Sequence, residues 1–207
     1  MLKKLPLYLL LLIVSYPAGA AKNILIVGDS LSAGYGIAIE KSWVNLLQKR
    51  LGNEYSVQNI SISGNTTSNG LASLPEALKL YSPVLTVIEL GGNDGLRGLP
   101  LKTIKTQLAQ MIELAKKSQS KVLLLGVRLP PNYGPEYTHK FHLMYTELGA
   151  TYKISVVPLF LKGVDDDPIL MQPDGIHPVS EAQLKMLDNT WECLEGILSD
   201  LTGKFCG

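Results

Sequence analysis

Cysteine is scarce in this chain: Cys193 and Cys206 are the only two among 207 residues. A chain of this length buries a core without a disulfide framework or a structural metal. Charge of one sign is also missing. The 19 basic and 18 acidic side chains leave a net of +1 with no basic block, which gives no reason to expect nucleic acid as a partner. There is no internal repeat, low-complexity tract or linker, so one domain is expected. Long apolar runs are absent except at the start, and even that one is shorter than the roughly 20 residues a spanning helix needs.

That start has a pattern of its own. Lys3 and Lys4 precede an apolar run over residues 5–14, and Pro17-Ala18-Gly19-Ala20 follows with small residues at the last and third-last places. A basic start, an apolar stretch and an A-x-A end read as a secretory signal peptide, expected over residues 1–20 with cleavage after Ala20. The mature chain, 21–207, would then be periplasmic or secreted with no stable membrane anchor. No cysteine lies near the cut, which argues against a lipid-anchored lipoprotein. Loss of the two lysines takes the net charge to about −1.

From Ala21 onward, short β-branched runs alternate with helical patterns. Strands are expected at 23–27, 55–60, 84–90, 121–127 and 154–158, apolar on both faces as parallel strands covered by helices are. Helices are expected at 42–51, 71–81, 101–118, 136–150 and 180–201. The alternation predicts a three-layer α/β/α sandwich around a five-stranded parallel sheet. In the flavodoxin-like order 2-1-3-4-5, ligands bind beyond the carboxyl ends of strands one and three. The loops leaving those strands are Gly28-Asp29-Ser30-Leu31 and Gly91-Gly92-Asn93-Asp94.

Three groups carry chemistry there. Ser30 follows a strand directly; alone it reads as a helix N-cap or turn serine. It is not in a G-x-S-x-G elbow, because position 32 is Ser, and the glycines nearby fail the dinucleotide fingerprint. Asp174-Gly175-Ile176-His177-Pro178 places a carboxylate three residues before an imidazole. One loop can thus supply a base and the acceptor that fixes its tautomer. A capped loop histidine, or a metal site drawing in Asp29 and Asp94, are the competing readings. Gly64, in the turn at 61–65, and Asn93 offer an N–H and an amide to a developing oxyanion. His139 and His142 read as surface residues of the fourth helix.

Taken together, Gly28-Asp29-Ser30-Leu31, Gly64, Gly91-Gly92-Asn93-Asp94 and Asp174-Gly175-Ile176-His177 fall in the order and spacing of the SGNH (GDSL) hydrolase blocks. Ser30-Leu31-Ser32-Ala33-Gly34-Tyr35, the stretch 89–98, and Arg128-Leu129-Pro130 with Asn132-Tyr133-Gly134 resemble its thioesterase I, lysophospholipase and arylesterase branch. The resemblance spans essentially the whole mature chain. It implies Ser30 as nucleophile, His177 as base and Asp174 as its orienter, with an oxyanion hole from the N–H groups of Ser30 and Gly64 and the amide of Asn93. Asn65 departs from the pattern, since related enzymes often carry an acid there.

The same resemblance implies a small-molecule acyl ester, thioester or lysophospholipid substrate, with no cofactor and no metal. Leu96, Leu99, Leu129 and Tyr133, in the loops next to the site, either line an acyl groove or pack those loops. The alternatives are a carbohydrate O-deacetylase using the same triad, a metal-dependent phosphoesterase and a non-catalytic binding module. A last expectation concerns the two cysteines. The final helix shows an apolar stripe of Leu184, Leu187, Trp191, Leu194, Leu198 and Leu201, which leaves Cys193 off the core side. A turn at Gly203 would return the chain toward it, so a Cys193–Cys206 disulfide is expected in an oxidising compartment.

Overall fold

The computed structural model describes residues 21–199. Five strands, β1 (Lys22–Gly28), β2 (Tyr55–Asn59), β3 (Leu85–Glu89), β4 (Lys121–Leu125) and β5 (Ser155–Val157), pair in the order β2-β1-β3-β4-β5. Every pairing is parallel, with Ile24 opposite Leu85 and Leu123 opposite Ser155. Parallel strands need crossovers, and here each crossover contains a helix. The sheet core is apolar on both faces: all five residues of β3 are buried, as are Ile24 to Gly28 in β1. This is the three-layer sandwich and strand order expected from the alternation.

The larger helices are α2 (Trp43–Leu51), α3 (Thr67–Tyr81), α5 (Leu101–Lys117), α6 (Pro135–Tyr152) and α7 (Gln183–Leu198). Two short ones, α1 (Ser30–Ala33) and α4 (Gly92–Leu96), occupy the loops after β1 and β3. Helix α3 begins four residues earlier than the apolar pattern suggests. The polar run from Thr66 looks like a turn, yet Thr66 and Asn69 form a reciprocal capping box that satisfies the first free N–H groups. Among the described residues no helix is long and apolar enough to cross a membrane.

Helix α7 corrects the expected stripe. Its buried residues are Gln183, Met186, Leu187, Thr190, Cys193, Leu194 and Ile197, while Leu184 is 52% exposed. Trp191 sits at the rim, with the Arg50 guanidinium 4.8 Å from its ring. The polar Gln183 faces inward because its side-chain oxygen accepts the N–H of Trp43 at 3.0 Å, starting α2. That contact turns the helix so that Cys193 faces the core, contrary to its expected place off the apolar side. Cys206, the expected partner, and the 1–20 signal segment lie outside the described residues.

Candidate active site

The site is assembled at the carboxyl ends of β1 and β3, where short polar loops leave the sheet on either side of the crossover reversal. Asp29 is the N-cap of α1: its Oδ1 accepts the N–H of Leu31 at 3.1 Å. Ser30 is therefore the first helical residue, with its side chain free to leave the loop.

Ser30 meets His177, which comes from the other end of the chain. The His177 Nε2 lies 2.9 Å from Ser30 Oγ, and its Nδ1 lies 2.7 Å from Asp174 Oδ2. The other Asp174 oxygen accepts the N–H groups of Ile176 at 2.9 Å and His177 at 3.0 Å. This tight turn requires Gly175 at φ 66°, a backbone state costly for side chains with a Cβ. The hydrogen bond from His177 is the main reason that the Asp174 carboxyl drops to about 2. An ionised Asp174 only accepts, so Nδ1 carries the proton. In the neutral ring Nε2 is then left to accept from the Ser30 hydroxyl.

Residues that the motif reading passed over brace this pair. The backbone N–H of Gln172 donates to the His177 carbonyl at 2.7 Å, and its side-chain amide donates to the carbonyls of Tyr35 at 2.9 Å and Pro178 at 3.1 Å. The Tyr35 ring packs beside the imidazole. One glutamine thus ties the histidine loop to the loop that follows α1.

On the opposite side, the Asn93 amide donates to Asp29 Oδ2 and to the Asn65 carbonyl, each at 3.0 Å. Asn65 contributes its backbone, so the departure from the acidic residue in related enzymes leaves this contact intact. With both amide hydrogens already engaged, donation from Asn93 to an oxyanion is a shared, three-centre bond. The N–H groups of Ser30 and Gly64 meet no protein acceptor among the described residues.

Two buried acids lie behind Ser30. Burial raises Asp29 to about 6 and, with the Asp29 charge beside it, pushes Glu89 well above its ordinary range. The competing metal reading has no geometry behind it. Both Asp94 carboxylate oxygens are taken by Thr67, through its N–H at 2.9 Å and its hydroxyl at 2.5 Å. Among the described residues no group of three or more His, Cys, Asp or Glu side chains is placed to hold a metal ion.

The Ser30–His177 pair opens into a cleft of about 820 Å³. Leu31, Leu96, Val127, Leu129, Leu161 and Ile176 supply an apolar wall. Leu96 and Leu129 are where the sequence reading put them; Leu99 and Tyr133 are not among the lining residues. The Tyr133 hydroxyl turns back to donate to the Leu96 carbonyl at 2.7 Å, and Tyr137 does the same to the Leu99 carbonyl at 2.7 Å, so the two tyrosines brace the loop that carries both leucines. The second wall is the face of α6 carrying Pro135, Thr138, His139 and His142. Their i, i+3, i+4, i+7 spacing was the signal that these histidines share a face, and that face borders the cleft.

Comparison with known proteins agrees with this geometry. The model of the GDSL-like lipase/acylhydrolase family matches residues 26–183. Esterase TesA of Pseudomonas aeruginosa is 47% identical over 192 residues, covering 91% of this chain and 96% of the relative. The thioesterase 1/protease 1/lysophospholipase L1 of Escherichia coli is 41% identical, covering 85% of each. Among solved structures, the crystal structure of TesA superposes with a TM-score of 0.83 at 48% identity, over 85% of this chain and 99% of that one. The psychrotrophic esterase EstA from Pseudoalteromonas, solved with monoethylphosphonate as inhibitor, gives 0.81 at 34% identity, over 86% and 99%. The chain belongs to the GDSL-like lipase/acylhydrolase family.

Proposed function

We propose that this chain is an exported serine hydrolase that cleaves acyl esters and thioesters through an acyl-enzyme. The observation that carries this reading is the continuous relay from Ser30 Oγ through His177 to Asp174, opening onto a cleft with one apolar wall. His177 Nε2 takes the Ser30 proton as Oγ bonds to the acyl carbon, and the carbonyl electrons move onto oxygen. The N–H groups of Ser30 and Gly64, with Asn93, hold that oxyanion. Its collapse breaks the bond to the alcohol or thiol, which leaves with the proton from His177. Water then repeats the sequence on the ester of Ser30, releasing the acid and restoring the hydroxyl.

The relatives named as esterase, arylesterase and thioesterase/lysophospholipase support acyl esters, thioesters and lysophospholipids as the substrate range. Leu96, Leu129 and their neighbours favour an acyl chain over a sugar in the cleft. The pattern of residues 1–20 supports export, and the amino terminus of the mature protein is then expected at Ala21.

The test is covalent. A fluorophosphonate should label Ser30, as peptide mapping would reveal, and Ser30→Ala should lose both the label and about 10⁶-fold in turnover of ester and thioester alike. Labelling elsewhere, or a loss below about tenfold, would sink the reading.

A further inference from the structure

Glu89 ends β3, a strand otherwise made of apolar residues and Thr86, and it is 1% exposed. Its Oε2 accepts the Ser32 hydroxyl at 2.8 Å and the Asp29 N–H at 3.3 Å. The Asp29 carboxyl stands next to it, only 3% exposed, and each acid acts on the other's ionisation. Two carboxyl groups buried side by side share a proton, because neighbouring buried like charges cannot both persist.

The surroundings decide which one holds it. Asp29 accepts from Leu31 and Asn93, both of which favour its charge. Glu89 faces Ser32 from α1, Asp29 itself and, from α6, the buried Tyr145. Tyr145 gives its hydroxyl hydrogen to the Leu90 carbonyl at 3.1 Å and none to Glu89. Asp94, the remaining acid of this cluster, lies against Thr67.

We propose that Asp29 and Glu89 form a one-proton unit, Glu89 neutral and Asp29 charged, that positions Asn93 for oxyanion binding. The inference rests on the serine-hydrolase reading above and adds a residue that its mechanism does not use. Glu89 donates to Asp29 and holds its charge; the charged Asp29 oxygen holds one hydrogen of the Asn93 amide, and the Asn65 carbonyl holds the other. Protonation of Asp29 removes an acceptor from Asn93 and loosens the donor. Protonation of this unit therefore adds its own loss of activity to the acid limb of log kcat/KM, which is steeper than it would be without the unit.

Glu89→Gln and Glu89→Leu test the proposal with a short-chain p-nitrophenyl ester. Glutamine keeps a neutral donor toward Asp29. Its kcat is expected to stay within about threefold of the parent, with the acid limb in place. Leucine removes the donor that holds the Asp29 charge. Its acid limb is expected to move to higher pH, with kcat down about tenfold at neutral pH and KM within about twofold. Equal losses in both variants, or an unmoved acid limb in Glu89→Leu, would overturn the unit.

If Glu89→Leu does not fold, Asp29→Asn supplies the second readout. An acid limb shallower than the parent's, with kcat lowered and KM kept, is expected, and a limb like that of the parent overturns the proposal. Fluorophosphonate labelling of Ser30 in each variant separates a failure of this unit from a failure of the serine mechanism.

Discussion

The ring of Tyr35 packs against the imidazole of His177, with centroids 4.4 Å apart and planes tilted by 39°. Tyr35 is itself 51% exposed, so one face of the phenol covers the imidazole while the other meets solvent. An imidazole pinned between Asp174 on one nitrogen and Ser30 on the other still has a free ring face, and Tyr35 occupies it. The Tyr35 backbone is held in turn by Gln172, on the histidine's own loop.

Removing that cover should cost positioning and leave binding largely untouched. Tyr35→Ala is expected to lower kcat by about tenfold, in the range of a lost ring contact plus freed side-chain motion, while Tyr35→Phe keeps parental activity. Steady-state kinetics on a short ester decide it. A Tyr35→Phe variant as impaired as Tyr35→Ala would show that the hydroxyl, and not the ring, is what matters.

Asn93 gives a sharper split between binding and chemistry. If its amide strengthens its contact only as the oxyanion forms, Asn93→Ala should lower kcat by about 10²–10³ and leave KM nearly unchanged. A normal kcat with a greatly raised KM would reassign Asn93 to substrate binding.

Much of this was legible from the chain. β3 reads as a fully buried strand, and the loops after β1 and β3 are recognisable as small and polar, so their meeting at one crevice follows from sheet order alone. The histidine loop is legible because Asp174, Gly175 and His177 are local to one another. Gln172 and Tyr35 were not, since their contact joins positions 137 residues apart and involves backbone carbonyls that any residue carries. His139 and His142 share a helical face in the sequence, but polarity alone put that face toward bulk water. In α7 the heavy side chains of Leu184 and Trp191 outweighed Gln183, whose inward turn depends on a distant N–H of Trp43.

Asp29 also predicts a conflict between stability and activity. Its folded value is raised from 3.8 to about 6, chiefly by burial. A raised acid favours the folded state fully below its unfolded value, and that contribution is lost as pH rises through the folded one. The window is therefore about pH 4 to 6, and above it the native state carries the cost of a buried charge. Asp29→Asn removes that cost while keeping an N-cap of similar strength. Its melting temperature should exceed the parent's at pH 8 and match it at pH 4, even as activity falls. A melting-temperature difference that is flat across this range would contradict the assignment. Asp174 behaves oppositely: held at about 2, it stays ionised through the same window and contributes nothing to the acid limb.

The cleft makes the last prediction. His142 stands on the α6 wall, and its Nδ1 is shielded from solvent with no hydrogen-bond partner among the described residues. Burial, with smaller effects from His139 and Arg128, lowers its pKa, so the ring is kept neutral in a partly desolvated place. Arg128 beside it is already committed to Asp165, through Nε at 2.9 Å and a second bond from the same guanidinium. A neutral polar ring in a cleft that Leu129 and Leu161 also line reduces the apolar surface open to an acyl chain. His142→Leu replaces it with a side chain of comparable bulk and no unpaired nitrogen. Each additional buried methylene of substrate is worth about 0.8 kcal/mol, or roughly fourfold in binding. The ratio of kcat/KM for an octanoyl over an acetyl p-nitrophenyl ester should therefore rise by about fourfold or more, with activity on the acetyl ester kept. Because an unsatisfied buried nitrogen costs about 1–3 kcal/mol, the same change should also raise the melting temperature. An unchanged ratio would mean that the chain leaves the cleft before it reaches α6, and would place the acyl group along another wall.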